Sequence, residues 1–190
     1  KRKLQMATKL RRVLVAGKIH AAGIELLRQR TDISIDLVEA VTTEAYRPYL
    51  ADADAILIRT QPMTVAEVAF APRLQIVSRH GVGFDAVDVK ALNARKIPLT
   101  IVGDVNSRAV AEHTLMLMLA AARRTLAHHI ASTTDNWNER NRFDSTELDG
   151  KSLLVLGFGR IGRRVSELAL AFGMKVTTFD PFVIADQATT

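Results

Sequence analysis

Short apolar runs recur along this chain about every 20 residues, and a helical rhythm of apolar positions fills the gaps between them. Val13-Leu-Val-Ala16 opens the series as a strand within 12–17. Ile24 and Leu27, with Ala21, then fall on one face of a helix. Ile33–Val38 alternates as a second strand. Thr43–Leu50 reads as a short helix capped by Thr42 or Thr43, because a hydroxyl can accept an orphan N–H. The pattern continues with a third strand at Ala55–Ile58 and a helical turn or two at Thr64–Phe70, closed by Pro72. It predicts a fourth strand at Leu74–Val77, a helix over Asp85–Arg95 and a fifth strand at Ile97–Val102. Short strands alternating with helices imply parallel pairing through right-handed crossovers. Residues 12–104 are therefore expected to form a small α/β doubly wound domain.

From Ser107 to His129 the pattern is helical and apolar almost all round, with Val110 and Leu115 to Leu119 as its bulk. Such a helix is buried or lies in an interface. It is expected to be a hinge helix carrying the chain into a second domain over 105–190. His113, near its start, reads as a buried histidine bonded to backbone rather than a catalytic one. His128 and His129 read as solvent-facing. Residues 132–149 are polar and read as a connection anchored by Trp137 and Phe143.

The second domain carries the most specific pattern. The apolar strand Leu153–Leu156 enters a G-x-G-x-x-G turn at Gly157, Gly159 and Gly162. Ile161, Val165, Leu168, Ala169 and Phe172 then recur on one helical face, and Gly173 ends the helix. A second strand, Lys175 to Phe179, stops at Asp180, 23 residues after Gly157. This is the order that dinucleotide binding needs. Gly157 permits the tight turn, Gly159 lets the backbone approach a pyrophosphate, and Gly162 lets helix and strand pack closely. The new helix points its free N–H groups and positive dipole end at the phosphates. Asp180 is placed to accept hydrogen bonds from both hydroxyls of a ribose, which favours NAD over NADP. A carboxylate about 4 Å from an added phosphate charge costs on the order of 4 kcal/mol at an effective dielectric of about 20. No Arg or Lys occurs between Asp180 and Thr190 to receive that phosphate.

In open parallel sheets ligands sit beyond the carboxyl ends of the strands. Two places in the first domain qualify: Arg59-Thr60 after the third strand, and Arg79 to Asp85 after the fourth. The Gly81-Val82-Gly83 turn opens a helix, so its backbone N–H groups can cradle a small anion such as a carboxylate. Arg59 can add a charge-assisted partner. A plain strand–helix turn with a surface arginine is the alternative.

Composition narrows the class. The chain is 48% hydrophobic and 24% charged, ordinary for a globular protein. Its longest wholly apolar run, Leu115 to Ala122, is too short to span a bilayer, so no membrane partner is expected. With no cysteine there is no thiolate nucleophile, disulfide or Cys-ligated metal, and His128 and His129 lack acidic neighbours at ligand spacing. No metal is expected, and a cytoplasmic location fits. The net charge of +6 is carried by Lys1, Arg2, Lys3, Lys9, Arg11 and Arg12. The remaining 20 basic and 20 acidic side chains balance, so the start reads as a solvated basic tail and no nucleic-acid partner is expected. Met6 reads as a natural start with Lys1 to Gln5 as an extension ahead of it.

Three passages together resemble the D-isomer-specific 2-hydroxyacid dehydrogenases. They are His80-Gly-Val-Gly-Phe-Asp85 with Val87-Asp88, Asn106 to Thr114, and Glu147 to Ser152 leading into Gly157–Gly162 and Phe179-Asp-Pro181. The resemblance implies a flavodoxin-like substrate domain followed by the first part of a Rossmann NAD-binding domain. It implies dimers through the Rossmann domain and hinge helix. Phe158 belongs to the cofactor turn, and Arg160 and Ile161 lie against the pyrophosphate. Val82 and Gly83 offer N–H groups to a substrate carboxylate, with Arg59 or Thr60 nearby. The implied reaction is hydride transfer between nicotinamide and C2 of a 2-oxo or D-2-hydroxy acid. The family's catalytic Arg, Glu and His fall in the part that would follow Thr190. No catalytic residue is therefore expected in these 190 residues, and the chain alone is expected to be inactive and poorly stable as a monomer. The alternative is a non-enzymatic NAD-sensing scaffold, as in the C-terminal-binding corepressors.

Overall fold

The computed structural model describes residues 10–183. The basic start, Lys1 to Lys9 with Met6, lies outside the described residues. The chain divides into two compact units between Gly103 and Asp104.

The first unit runs β1 (Arg11–Ala16), α1 (Ala21–Arg28), β2 (Ile33–Val38), α2 (Thr43–Leu50), β3 (Ala55–Ile58), α3 (Val65–Phe70), β4 (Ile76–Arg79), α4 (Val89–Ala94) and β5 (Leu99–Thr100). All neighbours pair in parallel, in the order β2-β1-β3-β4-β5. This is the flavodoxin-like winding, with its switch point between β1 and β3. Leu14, Val15 and Ala16 are buried in succession rather than alternately. Parallel strands covered on both faces have that signature. Leu14, Ile56, Ile58 and Val77 meet Tyr46, Leu50, Met63, Leu92 and Ile97 in one core. Full burial of such a side chain contributes about 1.5–3 kcal/mol.

Several boundaries differ from the sequence pattern. The fourth strand is displaced two residues toward its C-terminal end, because Gln75 N–H bonds Asp54 and Ile76 is the first residue in register, opposite Ala55. The fifth strand shrinks to two residues; Pro98 lends only its carbonyl, to Val77 N–H. The helix expected from Asp85 begins at Val89. Met63 N–H bonds Ala86, and Asp88 N–H bonds Met63, drawing residues 86–88 into a parallel bridge. Asp88 then caps α4 through Ala91 N–H at 2.9 Å. Thr64 and Glu67 form a capping box on α3, whereas Thr42 sits at the cap of α2 without a side-chain bond.

The second unit holds α5 (Ser107–Ala122), α6 (Thr125–Thr133), a 3-10 turn (Trp137–Arg142), β6 (Ser152–Leu156), α7 (Arg160–Ala171) and β7 (Lys175–Phe179). The expected single helix to His129 is broken at Arg124, which adopts a left-handed conformation with φ +48°. Arg124 pairs with Asp144 at 2.7 Å, so the break is held by the following loop. α5 packs on α7: Ala111 and Leu115 meet Val165, with Met118, Leu153 and Leu168 around them. β6 and β7 pair in parallel, Leu154 opposite Thr177. Leu153 and Val155 face the helices, while Leu154, Leu156 and Phe179 are exposed. Trp137 and Phe143 are exposed too and anchor nothing within the unit. His113 is exposed rather than buried, and His128 is half-buried against Ser145 Oγ rather than open to solvent. No helix among the described residues is long and apolar enough to cross a membrane.

Arg11 and Arg12 are part of β1, not of a solvated tail. Arg12 pairs with Asp36 and Asp52, both at 2.9 Å, and its N–H donates to Asp54 at 2.8 Å. Arg73 pairs with Asp54 at 3.0 Å, and Arg11 reaches it at 3.8 Å. Burial pushes the Asp54 carboxyl up, but the Arg12 N–H and the Arg73 guanidinium outweigh it and hold the group below the usual carboxylate range. Replacing Asp54 with Ala strands these donors and is expected to cost about 2–4 kcal/mol in urea denaturation. A depressed folded value stabilises fully above the unfolded pKa, about 3.9, and the gain is lost as pH falls through the lower folded value. The acid loss of urea resistance in that window should therefore be smaller in Asp54→Ala than in wild type.

Candidate functional site

The first unit gathers its candidate groups beyond the carboxyl ends of β1, β3 and β4. Arg59 follows β3, and its N–H bonds Ala16 at the end of β1. The segment from Arg59 to Met63 is tied down from three sides. Gln61 is buried; its Nε2 donates to Ala40 C=O at 3.0 Å and its Oε1 accepts Thr60 N–H at 3.1 Å. The Tyr46 hydroxyl donates to Pro62 C=O. Burial, with the Glu67 charge, raises that phenol far above its ordinary range, so it stays a donor. Met63 forms the bridge to residues 86–88. At Gly17, with φ +105°, a Cβ would lie 2.8 Å from both Arg59 Cβ and Gln61 Oε1, so only glycine lets these strand ends close. Arg59 and Thr60 are exposed on this rigid segment, and the Thr60 N–H is already used.

Across the register, Ile58 lies opposite Arg79. The two strand ends therefore present Arg59 and the Arg79–Gly83 turn side by side. Arg79 folds over that turn: its Nη1 donates to His80 C=O at 2.5 Å, and a Cβ on Gly81 would sit 2.7 Å from Nη1. The N–H groups of Val82 and Gly83 have no partner among the described residues. Two unpartnered donors, a guanidinium against them and a second arginine on the next strand suit an anion. Asp85 opposes it: its Oδ2 would lie 3.4 Å from a Cβ on Gly83. Arg79 opened the stretch that the sequence marked after the fourth strand, but it was given no role of its own there. The signal was available only through strand position, since a strand ending at Val77 leaves Arg79 in a loop, whereas one ending at Arg79 aims it at the turn.

In the second unit the three glycines do different things. Gly157 has φ +95°, and its N–H bonds Phe179 C=O at 2.8 Å. A Cβ on Gly162 would sit 2.0 Å from the Gly157 carbonyl oxygen. A Cβ on Gly159 would meet nothing within 4 Å, and no side chain caps α7 at that residue. The open space and the uncapped helix start fit the backbone approach of a diphosphate. Arg160 and Ile161 are exposed on the first turn, and Arg160 reaches Asp104 only loosely, at 3.9 Å. Phe158 is buried, with the Arg163 guanidinium 4.5 Å over its ring. Asp180 lies beside this turn. Its Oδ1 accepts Phe182 N–H at 2.8 Å and its Oδ2 accepts Phe158 N–H at 2.7 Å. Phe182 N–H, then Phe158 N–H, with help from Arg163, hold its carboxyl below the usual range. An ionised carboxylate keeps further lone pairs for ribose hydroxyls. Among the described residues no group of His, Asp or Glu is arranged to hold a metal ion.

The chain belongs to the D-isomer specific 2-hydroxyacid dehydrogenases: the model of that family's catalytic domain matches residues 13–180. It is 37% identical over 172 residues to D-3-phosphoglycerate dehydrogenase of Mycobacterium bovis, covering 90% of this chain and 32% of that protein. It is 34% identical over 173 residues to D-3-phosphoglycerate dehydrogenase of Methanocaldococcus jannaschii, with the same coverage of 90% and 32%. The chain thus spans about a third of the length of these relatives. Among solved structures, D-lactate dehydrogenase from Aquifex aeolicus complexed with NAD and lactic acid matches with TM-score 0.81 at 24% identity, covering 93% of this chain and 53% of that one.

The glycine geometry makes a paired prediction. Gly162→Ala drives a methyl into backbone and is expected to cost about 3 kcal/mol or more, seen as a lowered Tm of the second unit. Gly159→Ala should leave stability within about 1 kcal/mol, because the site is open and its φ of −77° suits alanine.

Proposed function

We propose that this chain supplies the acid-binding and cofactor-binding parts of an NAD-dependent oxidoreductase acting on 2-oxo and D-2-hydroxy acids. One observation carries the cofactor half: the open backbone at Gly159 stands at an uncapped helix start, with Asp180 bonded to the same turn. When bound, NAD supplies the hydride acceptor or donor for C2 of the acid. The backbone of Gly157 to Gly162, with Arg160 and Ile161, holds the pyrophosphate against the start of α7. Asp180 takes both ribose hydroxyls. Arg59, Arg79, the Thr60 hydroxyl and the N–H groups of Val82 and Gly83 hold the substrate carboxylate. Two arginines at one turn suit an acid with a second anionic group, as the phosphoglycerate of the relatives' name has. Hydride reaching C2 leaves charge on oxygen that a positioned acid must neutralise; we assign no residue of these 190 to that step. Homodimerisation through the second unit is supported by the exposed Met116, Leu117, Leu126, Ile130, Trp137 and Phe143.

Calorimetric titration tests both halves. NAD should bind the wild-type chain, and Gly159→Ala should abolish that binding without unfolding. Arg79→Ala should weaken 3-phosphoglycerate by about 10- to 100-fold, the usual worth of a charged hydrogen bond, and leave NAD untouched. No heat on NAD addition, with the fold intact by circular dichroism, would sink the cofactor assignment. Equal 3-phosphoglycerate binding in Arg79→Ala would sink the acid site.

A further inference from the structure

Arg59 stands between two peptide planes, and each is held by a different hydrogen bond. On its N-terminal side the sheet holds it: Arg59 N–H bonds Ala16 C=O at 2.9 Å. On its C-terminal side β3 has ended, and the Thr60 N–H goes to a side chain instead, Gln61 Oε1 at 3.1 Å. That second plane joins the α-carbons of Arg59 and Thr60, so its tilt sets the direction in which both side chains leave the backbone. Gln61 is 1% exposed, and its amide can be turned only one way. Its Nε2 donates to Ala40 C=O at 3.0 Å, in the loop between β2 and α2. The reverse orientation would set oxygen against oxygen and N–H against N–H. The amide lies over Gly17, where a Cβ would meet Gln61 Oε1 and Arg59 Cβ, both at 2.8 Å. Gln61 is too deeply buried to touch a ligand, so whatever it does for an acid it does through Arg59 and Thr60.

We propose that Gln61 is a positioning residue for the acid site: its amide, oriented by Ala40 C=O, fixes the peptide between Arg59 and Thr60 and so aims both side chains at one carboxylate. The inference rests on the acid-site assignment above. A fixed starting point for a long side chain lessens the ordering that binding must impose, an advantage of about 3- to 10-fold in affinity. The same bond spends the Thr60 N–H within the protein, which leaves the Thr60 hydroxyl for a ligand.

Calorimetry with 3-phosphoglycerate on the full chain compares wild type, Gln61→Leu, Gln61→Glu and Asp54→Ala, with urea midpoints measured in parallel. Gln61→Leu removes both bonds, and affinity should fall about 3- to 10-fold. Asp54→Ala loosens the same unit from the start of β3, away from the acid groups. It should lower the urea midpoint and leave affinity within about twofold of wild type. Gln61→Glu adds a readout that packing alone does not move. A protonated carboxyl can accept from Thr60 N–H and donate to Ala40 C=O, whereas the carboxylate can only accept. Burial favours the protonated form, so affinity should stay within about twofold of wild type at about pH 5 and fall about tenfold by about pH 9. Taking the ratio to wild type at each pH cancels the titration of the phosphate and of His80. This comparison needs one variant at two pH values, and it carries the test if Gln61→Leu or Asp54→Ala unfolds. An affinity within about twofold of wild type in Gln61→Leu, an equal loss in Asp54→Ala, or a Gln61→Glu ratio that is flat with pH overturns the proposal. Failure of 3-phosphoglycerate to bind wild type overturns the acid-site assignment, and this role for Gln61 with it.

Discussion

Where β6 hands over to α7, the main chain passes its own earlier turn so closely that one hydrogen atom is all that position 162 can carry. The Gly157 carbonyl occupies the space a methyl would need. That contact sets the angle at which α7 leaves the sheet, and with it the direction of the helix's unbonded N–H groups. Val165 then falls onto Leu153 and α5 rather than into solvent. The other end of the unit is stitched to the same turn, since Gly157 N–H bonds Phe179 and Asp180 grips Phe158. Strand register, helix direction and acid placement are therefore one constraint. Gly173 closes it: with φ +73° it ends α7 while Met174 N–H reaches back to Ala169 C=O and Gly173 N–H to Leu170 C=O.

The first unit solves a related problem with side chains. Its loop after β3 must stay in place while exposing Arg59. A buried amide takes the Thr60 N–H, a phenol the Pro62 C=O, and the bridge to residues 86–88 both the N–H and the C=O of Met63. Buried polar groups of this kind are stabilising only when fully partnered. Gln61 has a partner on each of its polar atoms, Ala40 for Nε2 and Thr60 for Oε1. The result is an exposed cation on a segment with little freedom, which is the arrangement recognition favours.

Much of this was legible in the sequence because parallel sheets announce themselves through short apolar runs and crossover spacing. The parallel winding, the glycine turn, its helix and the acid at the end of β7 follow from such local signals. The boundaries that moved were those governed by distant partners. Asp85–Asp88 looks helical until Met63 draws it into a bridge. The helix from Ser107 looks continuous until Asp144 holds Arg124 in a left-handed turn. Arg79 stood at the head of a marked stretch yet was given no role of its own for the same reason: it gains its position over the turn only from where β4 ends. Trp137 and Phe143 were misjudged because apolar content predicts burial somewhere, not burial within the same compact unit.

The bare face of the two-stranded sheet has a consequence for handling the protein. Leu154, Leu156 and Phe179 form an apolar row whose far end carries Ser152 opposite Lys175, the row's single cationic guard. β6 lacks a strand on its other side among the described residues. An open edge beside uncovered Leu and Phe is a template for runaway intermolecular pairing. Aggregation of this chain should therefore nucleate at residues 153–156 while the first unit is still native, making colloidal behaviour, rather than the midpoint of unfolding, what limits its shelf life.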